Sequence, residues 1–196
     1  MEELRCIIHY VRGLLAHPTE TWKELSEPEQ PAANLEYMQR NFYYPLLGVG
    51  TLLIFLLHGN GVMLRSPLPV DAPFSLEYAL RGAGAFALSY FAGPRLASLI
   101  IALLCSRMAG MELERRRLEV FVSYNMGVLI LCDMFCALLP NFTFLTLVSM
   151  YVLYVALEGV DNFMQIGRMR GMFAVISCVS IYLSPHVILY IFGLFR

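Results

Sequence analysis

Five long apolar stretches dominate the chain and limit what it can fold into. A bilayer core about 30 Å thick needs about 20 mostly apolar residues in one helix. Each stretch has about that length or more, and short polar segments separate them. We therefore predict an all-α bundle of five transmembrane helices, spanning residues 41–196. The predicted helices are 41–58, 76–105, 118–139, 142–160 and 171–195.

The composition agrees with a membrane protein and excludes several other classes. The chain has 196 residues, of which 58% are hydrophobic and 15% are charged. Soluble domains are about 45–50% apolar and about 25% charged. The net charge is -1, so the chain has no global field that would attract nucleic acid. The five cysteines are an odd number, which argues against a disulfide framework.

Residues 1–40 are predicted to form a cytoplasmic region with an amphipathic helix and a linker. Six apolar residues follow helical spacing over residues 2–16: Leu4, Ile7, Ile8, Val11, Leu14 and Leu15. Such a helix can lie in the membrane interface or pack on a partner, and we favour the interface. A second short helix begins near Pro18, and a polar linker with two prolines covers 26–34.

Basic residues predict the orientation of the bundle. Lys and Arg concentrate in cytoplasmic loops, and they cluster here before the first helix, after the second and after the fourth. This alternation predicts a cytoplasmic N-terminus and a C-terminus outside. The predicted cytoplasmic basic rim consists of Arg115, Arg116, Arg117, Arg168 and Arg170. We interpret the rim mainly as surface ion pairs with nearby acidic residues, with lipid headgroup binding as an alternative.

Three polar side chains interrupt the predicted membrane helices: Arg95, Asp133 and His186. At 1.5 Å per residue from the cytoplasmic ends, Arg95 lies about 18 Å deep and the other two about 22 Å deep. Because an isolated charge in the bilayer is costly, we expect the three to converge. The favoured interpretation is an Arg95–Asp133 ion pair that fixes helix packing, with His186 hydrogen-bonded nearby. The alternative is a proton or ion path in a small transporter or channel.

Further features of these helices carry weaker predictions. Small residues four apart, Ala83/Ala87 and Ser89/Gly93, favour close packing and place the second helix at the bundle centre. The Gly93-Pro94 step could interrupt that helix, as in some transporters. Cys132 and Cys136 flank Asp133, but Asp133 points about 100° away from Cys132, so we expect no metal site. Catalytic and phosphate-binding motifs are absent from the sequence, so we expect neither an enzyme nor a cofactor.

Two motifs resemble the Yip family (Ypt/Rab-interacting proteins). "PTETWKEL" is similar to the P-x-E-T-W element that precedes the membrane domain of bacterial members. "MYVLYVALEGV", with Tyr151, Tyr154 and Gly159, is similar to the family's tyrosine-rich closing helix. The plan of five helices behind a cytoplasmic N-terminus matches as well. The resemblance implies a bacterial-type, non-enzymatic multi-pass protein of the inner membrane.

The resemblance also sets expectations about partners. Eukaryotic relatives act in vesicle traffic with Rab-type GTPases, which implies a membrane organiser or adaptor. Such a protein would act through membrane lipids or through a membrane or cytoplasmic protein, and it could form a homo-oligomer. The competing hypothesis is the transporter or channel that uses Arg95, Asp133 and His186.

Overall fold

The computed structural model describes residues 2–27, 30–60, 74–110, 113–139, 149–167 and 169–194. Within these ranges the chain is helical apart from short turns, and it contains no strand. The helices are α1 Glu2–Ala16, α2 Pro18–Ser26, α3 Leu35–Met38, α4 Tyr44–Gly59, α5 Leu76–Ala109, α6 Arg115–Leu138, α7 Tyr151–Gly159 and α8 Arg170–Leu194. A 3₁₀ turn covers Pro31–Ala33, and π-helical turns cover Gln39–Tyr43 and Val160–Met164.

Four of the described helical stretches are long and apolar enough to cross a membrane. They are Leu35–Gly59, Leu76–Met108, Arg115–Leu138 and Arg170–Ile191. The all-helical membrane architecture is thus confirmed, with the first, second and third helices longer than predicted. Of the predicted fourth helix, the structure describes Tyr151–Gly159 and the π-helical turn after it, while 140–148 lie outside the described residues.

The centre of the bundle is α6, which corrects the prediction that the second membrane helix would lie there. In the apolar stretch of α6 that could cross the membrane, 72% of the residues are buried, against 44% in that of α5. Large core side chains of α6 such as Phe121 and Tyr124 are fully buried. The spacing of small residues in α5 serves instead its close packing with α4 and α8.

Helix α5 continues through the Gly93-Pro94 step, so the interruption suggested by the sequence does not occur. It runs unbroken from Leu76 to Ala109 with Pro94 inside it. Gly93 allows a close helix crossing, because a Cβ there would lie 3.2 Å from the Met126 sulfur and 3.7 Å from Pro185. Pro94 is therefore accommodated inside α5, which packs closely against its neighbours at this level.

The apolar face of α1 packs against the chain itself, whereas the sequence favoured the membrane interface. Leu14 is fully buried, and the rings of Tyr10 and Tyr124 lie 5.7 Å apart. The Tyr151 hydroxyl donates a hydrogen bond to the Leu15 carbonyl at 2.9 Å. Partners inside the protein thus replace the bilayer for most of this face, although Ile8 remains 56% exposed.

Candidate functional site

Tyr43, Tyr90 and Asp133 form a chain of hydrogen bonds between the membrane helices, which we call the polar cluster. A proline explains the first of its contacts. Pro94 has no N–H, so the carbonyl four residues earlier, at Tyr90, loses its helical donor. The Tyr43 hydroxyl donates to that Tyr90 carbonyl at 2.5 Å. Both tyrosines are almost completely buried. The π-helical turn before α4 thus supplies the hydrogen bond that α5 cannot make within itself.

The second contact joins α5 to α6. The Tyr90 hydroxyl donates a hydrogen bond to the Asp133 carboxylate, and Asp133 is half-buried. Tyr90 therefore accepts through its backbone and donates through its side chain, which couples Tyr43 on one side to Asp133 on the other.

His186 lies on α8 and is exposed. Among the described residues, no hydrogen bond or ion pair joins it to Asp133. Its Nδ1 lies 2.9 Å from the Tyr182 carbonyl, and its ring stacks on that of Tyr182 at 5.1 Å between centroids. Because a carbonyl only accepts, the geometry assigns the Nδ1 proton to this bond. The described contacts of His186 are thus with Tyr182 on its own helix, and its convergence with Asp133 stays a prediction.

Arg95 is not brought to this cluster. It is exposed, and its guanidinium carbon lies 5.3 Å from the centroid of the Phe91 ring. Within the described ranges it makes no ion pair with Asp133. The reason is angular: five residues along a helix turn the side chain by about 140°. Since Tyr90 faces Asp133, Arg95 points elsewhere. Depth along the helix gave no information on this rotation.

Neither Tyr43 nor Tyr90 was identified from the sequence. The sequence did contain a signal for Tyr90, namely Pro94. A proline inside a membrane helix leaves the carbonyl four residues before it without its helical donor, so another group must donate to that carbonyl. Within the described ranges, Cys105, Cys132, Cys136 and Cys178 form no disulfide. Among the described residues no group of three or more His, Cys, Asp and Glu side chains could hold a metal ion.

A second site is built where α2 meets α6 and α7, around Trp22. Trp22 is fully buried, and its indole Nε1–H donates to the Val155 carbonyl at 2.9 Å. The indole packs on Phe121 and Phe163, with ring centroids 5.6 and 5.4 Å away. Gly159 permits this approach, because a Cβ there would lie 2.8 Å from the indole. The two motifs singled out in the sequence, PTETW and the α7 segment, thus contact each other.

Polar contacts reinforce this junction around Glu158. The Thr19 hydroxyl donates to the Glu158 carboxylate at 2.8 Å, and the Asn162 amide donates to the same carboxylate at 3.1 Å. Thr19 and Trp22 are three residues apart and lie on one face of α2. One face of α2 therefore holds the N-terminal region against α7 by both apolar and polar contacts.

The arginines of the predicted basic rim have different partners. Arg115 pairs with Glu119 at 2.9 Å, and Arg170 pairs with Asp161. Arg117 donates to the Phe163 carbonyl, and its guanidinium carbon lies 5.0 Å from the centroid of the Phe163 ring. Arg116 is exposed and has no ion-pair partner among the residues that the structure describes. Arg168 lies outside those residues.

A polar cavity of about 630 Å³ opens beside Arg116 and Arg117. Its lining comes from the end of α2, the start of α3, the start of α6 and the π-helical turn after α7. The residues are Leu25, Ser26, Glu27, Ala33, Asn34, Leu35, Glu36, Glu114, Arg116, Arg117 and Phe163. Two grooves of about 520 and 300 Å³ flank a ridge on α8 and are almost entirely apolar.

One comparison with known proteins identifies the chain's relatives. A family model described as the Yip1 domain matches residues 12–191. No curated protein sequence matches the chain significantly. No solved structure does so either. The matched range includes the polar cluster, the Trp22 junction and the polar cavity.

Proposed function

Because the chain belongs to the Yip1 family, we propose that it is a non-enzymatic organiser or adaptor of the membrane that acts through protein or lipid contacts. The Trp22 junction carries this proposal. It packs the N-terminal region onto the helix bundle, so the end of the bundle that carries the basic rim is a folded surface. A preorganised surface loses little conformational entropy when it binds a partner.

We propose five crossings for residues 41–196. Two contacts support a crossing by the segment that includes α7. Ser149 lies within hydrogen-bonding reach of Cys136, near the end of α6. Gly159 lies against Phe121, near the start of α6. The segment from 149 to 159 therefore runs antiparallel to α6 along much of its length.

The arginine distribution supports the orientation that we propose for these crossings. The N-terminal region of residues 1–40 and the basic rim lie at one end, which we assign to the cytoplasm. The odd number of crossings places the C-terminus outside. We assign the bacterial inner membrane as the location, on the resemblance of PTETW to bacterial members.

Site-specific crosslinking tests the adaptor proposal. A photoreactive residue in place of Lys23, which is exposed beside Trp22, should give discrete crosslinked species in native membranes. Trp22→Ala in the same background should abolish them, because it releases α2 from Val155 and Phe163. Glu20→Ala changes an exposed residue on the same helix and is the matched control. An unchanged pattern in Trp22→Ala, at equal protein level, would contradict the proposal.

The transporter or channel hypothesis rests on the polar residues Arg95, Asp133 and His186 of the membrane helices, and it has a separate test. None of the three cavities described above is lined by Asp133, His186 or Arg95. We therefore expect the purified protein to leave a pH gradient across proteoliposomes intact. Dissipation of the gradient by the wild type, lost in Asp133→Asn, would favour transport and overturn the adaptor proposal.

A further inference from the structure

We propose that the polar cavity beside Arg116 and Arg117 binds the headgroup of a lipid that carries both a phosphate and a primary ammonium, as phosphatidylethanolamine does. This inference specifies one lipid contact of the function proposed above and rests on the same orientation. Its volume of about 630 Å³ lies within the range of small-ligand sites.

The position of the cavity fits a lipid headgroup. Leu35 begins the first helical stretch long enough to cross the membrane, and Arg115 begins the third. Leu35 and Arg116 both line the cavity. The cavity therefore lies where two membrane helices leave the apolar layer, which is the level of the phosphates of a bilayer leaflet.

One half of the lining suits a phosphate. Arg117 is held in place by the Phe163 carbonyl and ring, yet its buried Nε has no acceptor among the described residues. Arg116 is exposed beside it and has no ion-pair partner within the described ranges. The first N–H groups of α6 point toward the same end, and the Glu114 side chain does not cap them. Guanidinium groups and free helical N–H groups are the usual phosphate donors.

The other half suits a primary ammonium. Glu27, Glu36 and Glu114 line the cavity and are exposed. None of the three forms an ion pair within the part of the chain that the structure describes. Carboxylates accept hydrogen bonds, and a primary ammonium offers three N–H donors. Opposite charges that are separated around a cavity match a ligand whose own charges are separated.

The same lining discriminates against other common headgroups. Three carboxylates and two guanidinium groups give the described lining a net charge of about -1, which disfavours a purely anionic headgroup. A choline group has no N–H donor and is usually bound by aromatic faces. Phe163 is the aromatic residue of the described lining, and the Arg117 guanidinium already covers its ring.

Thermal stabilisation of the full chain in mild detergent tests the proposal. A ligand that binds only the folded state raises the melting temperature in a concentration-dependent way. We expect short-chain phosphatidylethanolamine to raise the melting temperature at concentrations at least tenfold lower than phosphatidylcholine or phosphatidylglycerol. Free phosphoethanolamine should need at least tenfold higher concentrations than the lipid, because it lacks the acyl chains that the bilayer side of the site would contact.

Two variants localise the effect without disturbing the Phe163 contact of Arg117. Arg116→Gln and Glu36→Gln should each weaken the phosphatidylethanolamine response about tenfold, and both residues are exposed, so folding should be retained. Arg40→Gln removes an exposed arginine from the same end of the bundle that does not line the cavity, and it should leave the response unchanged.

Four results would overturn the proposal. They are equal responses to phosphatidylethanolamine and phosphatidylcholine, a stronger response to phosphatidylglycerol, free phosphoethanolamine acting as well as the lipid, or no effect of Arg116→Gln. Lys23 crosslinks that persist unchanged in Trp22→Ala, with lipid selectivity intact, would contradict the protein-adaptor role alone. The two proposals therefore fail independently.

Discussion

The hydrogen bond from Tyr43 to the Tyr90 carbonyl gives the sharpest prediction about the bundle. Tyr43→Phe removes one oxygen atom and leaves that buried carbonyl without a donor, because Pro94 cannot supply one. An unsatisfied buried polar group costs about 1–3 kcal/mol. Hydrogen bonds between membrane helices average about 0.6 kcal/mol and reach about 1.7 kcal/mol. Since both tyrosines are buried, we expect a loss near the upper membrane value, about 1.5 kcal/mol.

A double-mutant cycle isolates the cause of this loss. Pro94→Ala restores a backbone N–H, which can donate to the Tyr90 carbonyl within α5. In that background Tyr43→Phe should cost less than about 0.5 kcal/mol, a coupling of about 1 kcal/mol between Tyr43 and Pro94. The control is Tyr44→Phe, which removes the same atom from a neighbouring ring. The Tyr44 side chain is 39% exposed, and its hydroxyl has no hydrogen-bond partner among the described residues.

Unfolding in mixed micelles of increasing SDS fraction gives the required free energies. Trp22 is the only tryptophan of the chain and is fully buried, so its fluorescence reports the transition. The reasoning is refuted if Tyr43→Phe costs the same in the Pro94→Ala background as in the wild type. It is also refuted if Tyr43→Phe costs no more than Tyr44→Phe.

Variants at Gly159 and Asp133 test the sites described above. Gly159→Val should destabilise the Trp22 junction by about 2 kcal/mol, because the valine side chain would overlap the indole. A red shift of Trp22 fluorescence would show this loss of packing. The control is Gly167→Val, which should leave the spectrum unchanged because a Cβ at Gly167 meets nothing within 4 Å. Asp133→Asn keeps an acceptor for the Tyr90 hydroxyl and should cost less than about 1 kcal/mol in the same SDS titration, whereas Asp133→Ala should cost about 2 kcal/mol. Equal losses in the two Asp133 variants would show that the hydrogen bond contributes little.

The membrane helices could be predicted from the sequence because a bilayer requires a minimum apolar length, and length is read directly from the chain. The polar cluster could be predicted only in part. Depth estimates placed Asp133 and His186 at one level, but the described contacts of His186 are with Tyr182 on its own helix. The same estimate gave no rotation about the helix axis, so it paired Asp133 with Arg95 although Tyr90 is the residue on the facing side.

The location of α1 could not be decided by periodicity. Its spacing shows that one face is apolar, and a bilayer surface and a protein surface satisfy that face equally well. What decides between them is Tyr124 and Tyr151, which lie more than a hundred residues away in the chain. Contacts between residues so far apart leave no local signal in a single sequence.

The Trp22 junction has a consequence for biosynthesis. Trp22 and the carbonyl that it binds, at Val155, are 133 residues apart. At about 5–20 residues per second of translation, Trp22 is synthesised roughly 7 to 27 s before its acceptor. Until Tyr124 and Tyr151 have also been made, the apolar face of α1 lacks these two partners, and the surface of the bilayer is a place to bury it. The interfacial position that the sequence favours for α1 would then describe the nascent chain, and the packed position the finished protein.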